Sequence, residues 1–480
     1  MSTLKRFFQD TIIYGFATVL PRLMNFILVP LHVTALSTVG YSVNTTFYVW
    51  AAFFNVILTY GMETAFFRYF SHSDRKKQVF STAFISLTAT TIVFFTLVFL
   101  FKDQLIELVD LNPKYFNMLL AILALDALVV VPFAYLRASN RPIKFAGIKI
   151  FNIAIVVLVN FFFLWLVPDH PSFVPDFILE RYSSEDQVQY IFLANLLASG
   201  ATFLILLPYF FRSKIEFKFG IFKQMWNYGW PIMIAGIAFV INEMLDKILL
   251  KEMISEDIMG AYAACYKLAI FMTIFVQAFR MGAEPFFFNH SKNENAKQTY
   301  ANILNYFVIF GSLILLIMIL FLDFFKMLII PNPEYWVTIS VVPIILLANL
   351  FLGIYHNLAI WYKLTDRTKA GMYISIIGAL ITIVMNILLI PVIGFMASAY
   401  TTLAAYGAMM LISFYFGRKY YPVPYNVKRI MLYLLLAVGL SAISFIYFRE
   451  NYFIGTLFLG IFLTTVFLNE RKDFKQILDQ

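Results

Sequence analysis

Six charged side chains recur within two apolar stretches, Trp226 to about Leu250 and Gly260 to about Phe288, joined by the acidic turn Ser255-Glu256-Asp257: Glu243, Asp246, Lys247, Lys267, Arg280 and Glu284. Other apolar segments are interrupted by Arg22, Glu63 and Asp126. An ionised group in hydrocarbon is costly, so each is expected to face a partner or a water-filled cavity. Arg22 has no acid within four residues on its own helix. A guanidinium near mid-membrane suits a phosphate, which its planar fork grips at two points. Arg22, Lys267 and Arg280 are therefore candidate anion contacts. Asp126, Glu243, Asp246, Glu284 and Glu63 are candidates for charge balance or ion coupling. Thr273, Gln277, Arg280 and Glu284 recur at helical spacing, a polar stripe expected to line the interior of a helix bundle. A plainer reading, ion pairs that only orient helices, fits Glu243 with Lys267 and Arg280 with Glu284 equally well. Lys247 can also carry its charge to the membrane interface along its own stem.

No catalytic constellation stands out. The histidines (His32, His72, His170, His290, His356) lack metal-ligand spacing, and Cys265 is the only cysteine, which excludes an intramolecular disulfide and a cysteine-based metal cluster. No G-x-x-x-x-G-K-[ST] loop occurs, so ATP hydrolysis by this chain is not expected.

The elements that position these groups must be membrane helices. The chain is 61% hydrophobic and 13% charged, whereas soluble domains carry about 45–50% apolar and about 25% charged residues. Apolar runs long enough to span a bilayer recur along the whole length. The pattern predicts an all-α polytopic membrane protein of about fourteen transmembrane helices. Expected spans include 43–67, 115–136, 145–167, 225–250 and 258–288. The net charge of +9 is not a nucleic-acid footprint. Most lysines and arginines, Arg137, Arg141, Lys144 and Lys149 among them, fall in alternate loops, which places both termini in the cytoplasm. The start, Lys5-Arg6-Phe7-Phe8, lacks a signal-peptide pattern and reads as an interfacial helix. The longest external loop, 168–187, is too short for a catalytic domain.

A faint internal repeat divides the chain. Tyr135-Leu136-Arg137-Ala138-Ser139-Asn140-Arg141, followed by Asn160 and Pro168, matches Trp361-Tyr362-Lys363-Leu364-Thr365-Asp366-Arg367, followed by Asn386 and Pro391. Gly40-Tyr41 likewise matches Gly260-Ala261-Tyr262. These pairs are offset by six spans, as in transporters built from repeats. They imply six-helix bundles at 1–215 and 216–420, with two additional helices and a cytoplasmic tail at 421–480.

The run from Asn386 through Ile390-Pro391 and Gly394 to Ala397-Ser398-Ala399 resembles the N-x-x-x-I-P-x-x-G-x-x-G-A-A pattern of polysaccharide transporters. Ala397 and Ser398 stand where that family often has Gly and Ala. Asn242-Glu243-Met244-Leu245-Asp246-Lys247 with Gly260-Ala261-Tyr262 is similar to its seventh and eighth spans. Ala278-Phe279-Arg280, Glu284-Pro285-Phe286-Phe287 and Trp361-Tyr362-Lys363-Leu364-Thr365 resemble a Bacteroidetes-type subgroup. The resemblance implies the multidrug/oligosaccharidyl-lipid/polysaccharide (MOP) flippase superfamily and its MATE-like fold. It further implies a non-enzymic flippase for undecaprenyl-pyrophosphate-linked oligosaccharide (O-antigen, capsule or exopolysaccharide units) in a bacterial cytoplasmic membrane, working by alternating access. Expected partners are the lipid-linked glycan, membrane lipids and other polysaccharide assembly proteins, with no nucleic acid. No cofactor is expected beyond a coupling ion, H+ or Na+. The alternatives are a cation-coupled small-molecule exporter of the multidrug and toxic compound extrusion type and, less readily, a membrane glycan polymerase or ligase.

Overall fold

Proline, glycine and short polar caps cut this apolar sequence into helices. The computed structural model describes residues 20, 23–139, 141–211, 216–291, 293–365 and 367–478, and every regular element among them is helical. Among the described residues, eleven helices are long and apolar enough to cross a membrane. Three more segments complete the fourteen expected: the shorter apolar Leu23–Ala35, and two with polar interruptions, at Thr38–His72 and Phe219–Met253. The chain forms two compact units, Met1–Ala263 and Ala264–Gln480.

The first unit contains α1 (Leu23–Ala35), α2 (Thr38–Thr59), α3 (Met62–His72), α4 (Lys76–Leu100), α5 (Lys102–Val109), α6 (Pro113–Ala138), α7 (Pro142–Phe161), α8 (Val188–Leu206) and α9 (Phe219–Met253). It also holds the first residues of α10 (Glu256–Tyr266). Ser37 caps α2 by accepting from the Gly40 N–H, Asn112 caps α6 through the Lys114 N–H, and Pro113 and Pro142 occupy first turns, where a missing N–H costs nothing. The expected continuous span 43–67 is broken. Tyr60 and Gly61 take left-handed conformations (φ 34° and 73°) between α2 and α3. A Cβ at Gly61 would lie 2.4 Å from the Gly229 carbonyl oxygen, so α3 begins where its backbone meets that of α9. Pro168 has no N–H for the preceding turn, and the chain after α7 widens into a π turn at Phe162–Leu166 just before it. Val129, Phe133, Leu136, Phe145, Ala146 and Leu206 close the core between α6, α7 and α8.

In the second unit a 3-10 turn, Lys267–Ala269, separates α10 from α11 (Ile270–His290), so the expected eighth span is not one continuous helix. There follow α12 (Ala296–Leu320), α13 (Leu322–Ile329), α14 (Val342–Leu358), α15 (Thr368–Ile393), α16 (Met396–Tyr420), α17 (Val427–Tyr447) and α18 (Tyr452–Leu478). Tyr355, Trp361, Tyr362, Tyr406 and Met409 pack the core of α14–α16. The last two helices are tied at both ends. Buried Glu470 on α18 accepts from Tyr433 Oη (2.6 Å), Asn305 Nδ2 (3.2 Å) and Arg429 Nη1 (3.4 Å). At the other end Asp323 on α13 accepts from Lys326, and from Arg449 Nε (3.0 Å) and Nη2 (3.2 Å) in the α17–α18 turn.

The internal repeat has a local structural basis. Ser139 N–H donates to Tyr135 O and Arg141 N–H to Leu136 O; Thr365 N–H donates to Trp361 O and Arg367 N–H to Tyr362 O. Asn160 Nδ2 donates to Val156 O and Asn386 Nδ2 to Thr382 O, both at 2.8 Å. Each amide oxygen then holds a further partner. His32 Nε2 lies 2.9 Å from that of Asn160, and Ser398 Oγ donates to that of Asn386 at 2.8 Å. Ser398 therefore latches α16 to α15 across the turn at Gly394.

A polar cavity inside the first unit

Five helices of the first unit turn polar side chains into a cavity of about 590 Å³, within the range of small-molecule sites. Helical spacing explains how. On α8, Asn195, Ser199 and Thr202 lie at i, i+4 and i+7 of an otherwise apolar helix, and so share a face. On α6 the same spacing aligns Asp126, Val130, Phe133 and Arg137, and on α7 it aligns Phe145, Lys149 and Asn152. Asn55 and Thr59 come from the end of α2, and Glu63 from the start of α3 beyond the Tyr60–Gly61 break.

Two of the four charges form an ion pair. Arg137 Nη1 donates to Glu63 Oε1 at 2.8 Å. Asp126 Oδ1 accepts from Ser199 Oγ at 2.8 Å. The Lys149 ammonium sits 4.4 Å from the centroid of the Phe133 ring, a cation–π contact. Asn152 Nδ2 donates to Thr202 Oγ1 (2.9 Å), and Asn195 Nδ2 to Tyr48 Oη (2.7 Å) and Ile191 O (2.8 Å). Polar groups at this depth are tolerated because they border a cavity rather than lipid.

Of the residues singled out by sequence, Asp126 and Glu63 line this cavity. Arg22 and the side chain of Glu284 lie outside the described residues. Asp246, only 1% exposed, accepts from the Lys247 main-chain N–H (2.9 Å), Lys247 Nζ (3.0 Å) and Tyr262 Oη (2.8 Å). Lys247 Nζ also donates to the Glu243 carbonyl (2.7 Å). Lys247 is thus held inside the protein and does not reach for the interface. In the second unit Lys267 is exposed in the 3-10 turn, while Thr273, Gln277 and Arg280 are half-buried along α11. Arg280 borders a void of about 10 Å³ with His356 and Asn357, room for a single water.

Sequence reasoning missed Lys149, Arg137, Asn55, Asn152, Asn195, Ser199 and Thr202. The two cations were assigned to a cytoplasmic loop. In fact Arg137 belongs to the last turn of α6, and Lys149 lies two turns inside α7. The neutral residues carry no charge to draw attention, although their spacing on α8 was available.

Fold and cavity together define a multi-pass helical membrane protein with a polar cavity among its helices. Two family models match the chain: "Polysaccharide biosynthesis protein" over residues 7–289 and "MatE" over 231–388. The chain belongs to the polysaccharide biosynthesis protein family. An uncharacterized membrane protein of Methanocaldococcus jannaschii is 22% identical over 465 residues, covering 88% of each chain. Among solved structures, the lipid II flippase MurJ in an inward closed conformation is similar with a TM-score of 0.74 at 14% identity, covering 95% of this chain and 99% of that one. An inward-facing multidrug resistance MATE family transporter of the MOP superfamily has a TM-score of 0.61 at 12% identity, covering 88% and 95%. A MOP superfamily transporter from Pyrococcus furiosus has a TM-score of 0.57 at 12% identity, covering 86% and 94%. The fold is that of the MOP superfamily.

Proposed function

We propose that this protein is a flippase moving a polyprenyl-pyrophosphate-linked oligosaccharide across a bacterial cytoplasmic membrane, with both termini on the cytoplasmic side. The observation that carries this reading is a charge-balanced polar cavity within apolar helices, in a chain of the polysaccharide biosynthesis family. A hydrophilic headgroup needs such a wet route, whereas the polyprenyl tail needs none. The bundles 1–215 and 216–420 would alternate in access, with 421–480 alongside, and the transport step makes and breaks no covalent bond. Arg22, Lys267 and Arg280 supply anion contacts flanked by Gln277 and Thr273. Asp126, Glu63, Glu243, Asp246 and Glu284 balance charge or couple an H+ or Na+ gradient.

Deleting the gene should accumulate lipid-linked oligosaccharide on the cytoplasmic leaflet, measured by extraction of polyprenyl-linked intermediates and glycosidase accessibility in vesicles. Absence of any accumulation refutes the reading. Arg22→Ala should abolish export at unchanged protein abundance; unchanged export removes that residue from the site. The match of the "MatE" model to residues 231–388 supports a second reading, export of small cationic compounds. That reading predicts altered resistance to such compounds on deletion, with no glycan intermediate accumulating.

A further inference from the structure

We propose that the cavity of the first unit is a subsite for uncharged sugar residues, and that it does not bind the pyrophosphate. The inference rests on the flippase reading and assigns one part of that substrate to one set of residues.

The argument comes from which hydrogen-bonding capacity is already used. Among the described residues, Asp126 Oδ2 accepts nothing, and the side-chain oxygens of Asn152 and Asn195 are likewise unused. Among the described residues Lys149 donates no hydrogen bond, so its three N–H groups are available, and the Asn55 side-chain amide makes none. The cavity therefore offers donors and acceptors together. A phosphate only accepts, and it would meet the charges of Asp126 and Glu63 as well as two amide oxygens. Its natural partner, Arg137, is already paired with Glu63 at 2.8 Å. A sugar hydroxyl is donor and acceptor at once, so it can use both kinds of group.

Shape chemistry agrees. The apolar lining is Ile122, Val129, Val130, Phe133 and Phe145 from α6 and α7, with Val56 from α2 and Ala198 from α8, and the unused polar groups are set among it on α2, α6, α7 and α8. A pyranose likewise combines apolar C–H faces with a rim of hydroxyls. At about 30 Å³ per water, a cavity of about 590 Å³ holds on the order of twenty waters, ample for a short neutral glycan. A site that hydrogen-bonds substrate hydroxyls also discriminates strongly against analogues lacking them.

The native chain provides a silent background for the test, because its only cysteine, Cys265, is buried. In the purified full-length protein, Asn55→Cys places a thiol at the cavity edge for maleimide labelling. Its rate is measured with a panel of methyl glycosides (gluco, galacto, manno and N-acetylglucosaminyl) and with inorganic pyrophosphate at the same concentration. At least one glycoside should slow labelling several-fold, while pyrophosphate leaves it unchanged. Adding Asp126→Asn, which retains one acceptor oxygen, should keep most of the protection; adding Asp126→Ala should remove it. Protection by pyrophosphate, or by none of the glycosides, overturns the subsite. If deletion of the gene still accumulates lipid-linked oligosaccharide, the flippase reading survives that failure; if nothing accumulates, the reading itself falls.

Discussion

Asp323→Asn is the substitution whose cost follows most directly from geometry. The carboxylate is 3% exposed and receives Lys326 and both the Nε and Nη2 groups of Arg449. Burial pushes this carboxyl up, but the Arg449 and Lys326 hydrogen bonds outweigh it and hold it below the ordinary carboxylate range. Removing one member of a buried pair costs about 3–5 kcal/mol, because the remaining charge is left uncompensated. The Arg449 side chain is 37% exposed and can turn to water, so we expect the lower part of that range, about 3 kcal/mol. The sign with pH is fixed. A carboxylate whose folded value is depressed contributes fully above its unfolded value, near 3.9, and loses that contribution as pH falls through the folded value. Thermal inactivation in detergent, followed by fluorescence-detected size exclusion, should show the variant clearly less stable at pH 7. The gap should narrow as pH falls below that unfolded value towards the depressed folded one. A double-mutant cycle with Arg449→Gln should return a coupling of about 1–3 kcal/mol. Equal stability of wild type and Asp323→Asn at pH 7, or a gap that persists unchanged at low pH, would refute the reasoning.

Other substitutions test separate contacts. Gly61→Ala places a Cβ 2.4 Å from a main-chain oxygen in a left-handed position, and should cost at least about 1–3 kcal/mol in the same assay. Because Glu63 follows two residues later, the same change should also reduce export. Lys247→Met leaves Asp246 buried without its cation and should destabilise by about 3–5 kcal/mol, whereas the double change Lys247→Met with Asp246→Leu should recover much of that loss. Ser398→Ala leaves the Asn386 amide oxygen without its donor and should cost about 1–3 kcal/mol, measured by thermal inactivation.

Much of the architecture was legible because membrane helices announce themselves by apolar length, and the repeat was legible because the same backbone closures recur at Tyr135–Arg141 and Trp361–Arg367. The cavity was legible only where it is acidic, at Asp126 and Glu63. Lys149 was hidden because the count of basic residues assigned it to a loop although the expected span 145–167 already contains it; the helix starts at Pro142, and the lysine lies two turns inside. Asn195, Ser199 and Thr202 were hidden for a different reason. Neutral residues in a membrane helix signal a lining only once neighbouring helices reveal which face is turned inward.

The ties at Asp323 and Glu470 make the final hairpin part of the second unit's frame. A spectroscopic label or an antibody fragment attached at the turn before Tyr452 would therefore travel with that unit. It would report the unit's displacement during a transport cycle without touching a residue that handles cargo.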